Sequence, residues 1–137
     1  MTKRMLDKIK EIEISLSELQ GIVPSSAQEY KASLEKKAAC ERYAEKVVEA
    51  VVDLAFLTIK WKRLPLPEDD ADAFRILLDS GIIDAALAKK LHNAKGMRNI
   101  IAHQYGRIDD EVVFTALSER LEGDVLEYIA RIKACLR

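Results

Sequence analysis

Glycine and proline are scarce in this chain, five and three in 137 residues. These few breakers cluster, which excludes a turn-rich architecture and predicts long helices separated by short turns. Cysteine is nearly absent. Cys40 and Cys135 have no C-x-x-C spacing, and the chain is large enough to need no covalent staple, so they read as reduced structural thiols in a cytoplasm. No apolar run is long enough for a bilayer: the richest stretch, 47 to 59, is short and interrupted by Glu49 and Asp53. The start, Met1-Thr2-Lys3-Arg4-Met5, opens a charged amphipathic pattern and lacks the apolar centre of a signal peptide. A glycine-rich phosphate loop is missing, so the chain is not itself a kinase or nucleotidyltransferase. No excess of either charge exists: the net charge of −1 announces no polyanion partner.

What is present suits one globular domain spanning 1–137. Apolar residues make up 49% and charged residues 33%, ordinary for a soluble protein. A chain of this length can bury about two-thirds of its unfolded surface around a single core. Met5, Ile9, Ile12, Leu16, Leu19 and Val23 recur in steps of four and three, the period of an amphipathic helix, stopped by Gly21 and Pro24. Ser25 or Ser26 then offers an N-cap, with Gln28 or Glu29 three residues on for a capping box. A second, very long helix is predicted from Ser26 to about Trp61, its inner side marked by Tyr30, Leu34, Tyr43, Val47, Val51, Leu54 and Ile59. Its later half is apolar nearly all round and belongs at the centre. Pro65 and Pro67 end it. Asp69 to Ser80 reads as a short third helix, with Phe74, Leu77 and Leu78 inward and Gly81 as its stop. Asp84 caps a fourth helix that ends at Gly106. Asp109 or Asp110 opens a fifth, through Val113, Leu117, Leu121, Leu126, Ile129 and Ile132 to the C-terminus. With no strand-like alternation and no repeat, the expected fold is all-α, an antiparallel bundle of four to five helices.

Chemistry concentrates in the fourth helix, at Arg98-Asn99-Ile100-Ile101-Ala102-His103-Gln104-Tyr105. On an ideal helical wheel Ile83, Leu87, Ala94 and Ile101 fall together, with Met97 nearby, as the core face. His92, Lys95, Asn99 and His103 form a separate polar stripe, and Arg98 lies at the border. Arg98 and His103 are about 140° apart, a gap that a long guanidinium stem can bridge. Asn99 sits one turn below His103 and can orient the imidazole. From Asp84 to Arg107 the sequence carries Lys89, Lys90, Lys95, Arg98 and Arg107 against Asp84 alone: by charge alone a solvated lysine-rich face with Arg98 paired to a carboxylate, and beside His103 and Asn99 a basic strip suited to phosphate.

The pattern Arg98-Asn99-x-x-x-His103-x-Tyr105, late in an all-helical chain of this size, resembles the HEPN superfamily. Within it the chain looks most like the HepT toxins encoded beside a small, MNT-type nucleotidyltransferase. The resemblance runs from the second helix to the C-terminus. It implies a metal-independent RNA endonuclease with no cofactor, working as a homodimer whose paired motifs share one cleft. Arg98 would stabilise the phosphate, His103 would transfer the proton and Asn99 would orient it. Lys95 and Tyr105 would contact substrate. The family further implies a cognate nucleotidyltransferase antitoxin that transfers AMP to the tyrosine two residues after the motif histidine, here Tyr105.

Other candidates weigh less. Glu45, Glu49 and Asp53 line one face of the second helix, and one of them, Asp53 by preference, could hold Arg98 across the bundle. A carboxylate-bridged metal site needs Glu-x-x-His pairs, but Lys89 and Ile100 precede His92 and His103 by three residues, so no metal is expected. His92 reads as a surface residue of the polar stripe. Trp61, within Lys60-Trp61-Lys62-Arg63, either seals the helix end or stacks a base beside cations. From a different functional class, a non-catalytic helical adaptor would use the same strip to bind RNA or the nucleotidyltransferase without cleavage.

Overall fold

The computed structural model describes residues 1–103 and 108–136, and all regular structure among them is helical. Helix α1 (Lys3–Ile22) buries Met5, Ile9, Ile12, Leu16 and Leu19, the stripe its period predicts. Thr2 caps its start, the hydroxyl accepting from Met5 N–H at 3.2 Å.

The long second helix is two. Ser26 caps α2 (Ala27–Ala32), accepting from Glu29 N–H, and Ser33 then breaks the rod. Ser33 has extended backbone (φ −121°, ψ 108°), and its hydroxyl accepts from Lys36 N–H at 3.2 Å, opening α3 (Leu34–Trp61). A serine side chain bonded to nearby backbone N–H competes with helix continuation, as here. The break frees Tyr30 to bury itself beside Phe114, ring centroids 5.6 Å apart, while Leu34, expected inside, is 81% exposed.

From Val47 onward α3 is buried on nearly every side, and the helix as a whole packs against α1, α2, α4 and α5. Glu18 meets Tyr43 and Lys8 meets Asp53, so α1 and α3 run antiparallel. Helix α4 (Asp70–Asp79) starts at an Asp69 cap and buries Ala73, Phe74, Ile76 and Leu77. Both α3 and α4 close with the same reversed turn, in which an N–H reaches back five residues: Leu64 to the Ile59 carbonyl, and Ile82 to the Leu77 carbonyl, each at 3.0 Å. The turn demands a left-handed residue. Gly81 supplies it in α4 (φ 80°), whereas α3 uses Arg63 (φ 55°). A side chain in that conformation costs roughly 1–2 kcal/mol that glycine would not.

Asp84 opens α5 (Ala85–His103), its carboxylate accepting from Leu87 N–H at 2.8 Å. The predicted fifth helix begins at an Asp109 cap but is not uniform. It comprises α6 (Asp110–Thr115), one π-helical turn (Ala116–Arg120) and α7 (Leu121–Cys135). Val113, Leu117, Leu121 and Val125 are all buried, a run of unbroken fours that a 3.6-residue helix would rotate off the core. The wider π turn absorbs that drift. In consequence Val125 faces inward and Leu126, expected inside, is 45% exposed. Asp84 pairs with Arg131, and Lys90 with Glu127, which sets α5 and α7 antiparallel. Buried Tyr128 donates to the Val51 carbonyl at 3.0 Å and ties α7 to the central helix. The expected stop at Gly106 lies outside the described residues.

Candidate active site

Helix α5 presents Leu87, Leu91 and Ile101 to the core, with Ala94 and Met97 partly buried. That fixes the rotation of the helix and therefore the direction of its polar residues. Arg98 falls at the edge facing α3. One terminal guanidinium nitrogen donates to Glu49 Oε1 at 3.1 Å and the other to Asn99 Oδ1 at 3.0 Å. The side chain is three-quarters buried, and its Nε–H is enclosed without an acceptor among the described residues. A guanidinium gripped at both tips is held in orientation while a second N–H on each terminal nitrogen remains for a further acceptor.

Glu49, not Asp53, makes this contact. The three candidate carboxylates on this face of α3 each meet a different cation: Glu45 meets Arg42, Glu49 meets Arg98, and Asp53 meets Lys8 at 3.4 Å. Their spacing along α3 is uniform, so only the register of α5 against α3 separates them. Lys95 joins Arg98 in lining a small cavity of about 140 Å³ with Glu49, Asp53 and Asp70.

His103 is the final described residue of α5, exposed and one turn beyond Asn99. Tyr105 lies outside the described residues. His92 is exposed but lines a different groove, with Met97, Ile100 and Val112, on the side of α5 away from Arg98. The polar stripe of the wheel is thus divided between two faces of the helix. The basic strip is also partly compensated, because Lys90 lies 3.6 Å from Glu127 and 3.9 Å from Asp124. Lys89 and Lys95 have no carboxylate partner among the described residues.

Among the described residues no group of three or more His, Cys, Asp or Glu side chains is placed to hold a metal ion. Cys40 and Cys135 are free thiols, and burial pushes both up from the usual thiol range. Such thiols stay protonated and are poor nucleophiles. No helix among the described residues is long and apolar enough to cross a membrane. Trp61 is 37% exposed with the Lys62 ammonium 5.4 Å from its ring, at the end of α3.

A family model described as "Ribonuclease HepT-like" matches residues 9–132. The chain belongs to the HepT-like ribonuclease family. Over 134 residues this HepT-like chain is 25% identical to the mRNA nuclease HepT of Shewanella oneidensis, covering 98% of one and 99% of the other. It is 28% identical over 121 residues to the tRNA nuclease HepT of Aphanizomenon flos-aquae, covering 88% of this chain and 82% of that one. Its fold superposes on a tri-AMPylated Shewanella oneidensis HEPN toxin, solved in complex with MNT antitoxin, with TM-score 0.90 and 24% identity. That match covers 98% of this chain and 99% of the toxin. This HepT-like chain therefore has the all-helical fold of the HEPN toxins.

Proposed function

We propose that this chain is a metal-independent RNA endonuclease of the toxin type, acting in the cytoplasm as a homodimer whose two motifs face one cleft. The observation that carries the reading is the orientation of Arg98 by Glu49 and Asn99, one turn below an exposed His103. RNA supplies its own nucleophile. A base removes the 2′-hydroxyl proton, the 2′-oxygen attacks phosphorus, and the 5′-oxygen departs with a proton from an acid. Histidine titrates near neutrality and serves as either base or acid. A guanidinium stabilises the charge that grows on the nonbridging oxygens. One motif holds one histidine, so two copies across a two-fold axis provide both proton carriers. Exposed Ile100 and Val112 support such an interface, since Ile100 lies one turn before His103 on α5.

Lys95, beside Arg98, contributes a phosphate contact, and Tyr105 a substrate-side hydrogen bond. The cognate partner is an MNT-type nucleotidyltransferase antitoxin, which silences the cleft by moving AMP onto Tyr105. Added phosphate and nucleoside there repel and block the RNA backbone. The Shewanella oneidensis structure, an AMPylated toxin with MNT antitoxin, supports this pairing.

Cleavage should persist in EDTA and leave a 2′,3′-cyclic phosphate, and His103→Ala should lose roughly a hundredfold or more of the rate. Co-expression with the partner should add AMP to Tyr105 and not to Tyr105→Phe, read by peptide mass spectrometry. Activity abolished by EDTA and restored by magnesium would reject the mechanism. RNA binding without any cleavage would favour the adaptor.

A further inference from the structure

Along α3, one turn beyond Glu49, Asp53 borders both the Arg98 cavity and a larger groove of about 780 Å³. The groove is floored by Phe56, Leu57 and Leu64, and Leu66 stands at its edge, 87% exposed. Four cations line it, Arg4, Lys8, Lys60 and Arg63, against the single acid Asp53. Lys8 is already committed to Glu11 and Asp53. Arg4, Lys60 and Arg63 have no carboxylate partner among the described residues. The surplus positive charge belongs to the groove, in a chain whose net charge is −1.

Arg63 adds an independent observation. It occupies the left-handed position of the turn that ends α3, where the equivalent turn of α4 uses Gly81. A strained conformation kept where glycine would relieve it points to a use for the side chain. That side chain lines the groove.

From this we infer that the groove between α1 and the end of α3 is a second RNA subsite, holding the single strand that flanks the scissile phosphate. The inference rests on the ribonuclease reading. Arg4, Lys60 and Arg63 bind successive phosphates, and bases lie on the apolar floor formed around Phe56. Apolar or aromatic floors beside a basic track are how proteins hold single strands without reading sequence. A protein occupant would need acidic groups over three cations, and the open charge suits a polyanion better.

The test uses the full chain and a short, single-stranded 2′-O-methyl oligouridylate carrying fluorescein, which binds but offers no 2′-hydroxyl for cleavage. Affinity is read by anisotropy across a salt series. Arg63→Gly should raise the melting temperature, because strain is relieved, and yet weaken RNA binding. Lys60→Gln and Arg4→Gln should weaken it too, each lowering the salt slope by about 0.7, the value for one phosphate contact on a single strand. Phe56→Ala should weaken the oligouridylate and leave binding of heparin, a polyanion without bases, unchanged. Cleavage of long RNA should show a raised KM and an unchanged kcat in Lys60→Gln. Wild-type affinity and salt slope in the Arg63→Gly, Lys60→Gln double variant would overturn the subsite, including the case in which that variant instead loses the nucleotidyltransferase. Probe binding that depends on Arg63 and Lys60, in a chain that cleaves no RNA, would support the groove and overturn the ribonuclease reading alone.

Discussion

At the scale of single residues, Arg98 and Glu49 form the pair from which the proposed chemistry can be taken apart. An arginine held by carboxylate on one tip and amide on the other presents a fixed plane to a phosphate. Lysine offers a point charge without that fork. Arg98→Lys should therefore reduce kcat/KM by about a hundredfold, on the scale of losing one preorganised donor to a developing oxyanion. Glu49→Gln keeps a hydrogen-bond acceptor and removes the charge, so it should cost less than Glu49→Ala. In both variants kcat should fall while the affinity for uncleavable RNA holds or rises, because an acid is removed beside the phosphate. Equal activity of all three variants and wild type in steady-state cleavage would remove Arg98 from the mechanism. The wheel placed Arg98 at the border of core and polar stripe, and there it lies. Which acid it meets could not be read there: Glu45, Glu49 and Asp53 are equivalent along their own helix, and the choice depends on how far α5 slides along α3.

Among the elements, α5 carries the motif, so its anchoring sets the precision of the site. Asp84 serves it twice, capping the helix at Leu87 N–H and pairing with Arg131 of α7 at 2.9 Å. The Leu87 hydrogen bond, with help from the Arg131 and Lys90 charges, holds the Asp84 carboxyl below its ordinary value, against the opposing effect of burial. A carboxyl lowered by folding contributes stability above its unfolded pKa of about 3.9, and the contribution disappears as pH falls through the lower folded value. Asp84→Ala should melt several degrees below wild type at neutral pH, and the gap should close on acidification toward pH values under about 4. Circular dichroism melts at several pH values measure it; a gap independent of pH would assign the whole effect to the lost capping hydrogen bond and none to the carboxylate's charge. This cap was visible in the sequence, and those at Ser26 and Asp109 to within one residue, whereas Asp69, read as the first helical residue, proves to be a cap. Ser33 was not visible, because a serine within an apolar-periodic run reads as a tolerated polar residue. The break also lets Tyr30 pack on Phe114, eighty-four positions downstream, a contact that spacing within the segment cannot show.

For the molecule as a whole, the proposed homodimer can be tested at one exposed apolar face. Ile100 and Val112 are 45% and 58% exposed, and they line one groove between α5 and α6, on the side of α5 away from Arg98 but with Ile100 one turn before His103. If that face closes the dimer, scattering should report about twice the 15.5 kDa chain mass at micromolar concentration. Ile100→Glu should return it to one chain mass and reduce cleavage at least tenfold, with the helical signal and melting midpoint little changed because the side chain is outside the core. A variant that remained dimeric and active would move the interface elsewhere.

The sequence by itself determined that this chain is helical, that α1 buries the stripe from Met5 to Leu19, and where most helices start. These are properties of neighbours within one or two turns, and spacing along the chain records them. Tertiary structure decided the rest. It split the second helix at Ser33 and placed a π turn in the last, turning Val125 inward in place of Leu126. It selected Glu49 for Arg98, separated His92 from Lys95, and gathered Arg4 from the first helix beside Lys60 and Arg63 at the end of the third. Each of these depends on the register between helices, which is fixed by how side-chain ridges interlock across the core and leaves no periodic mark in either helix alone.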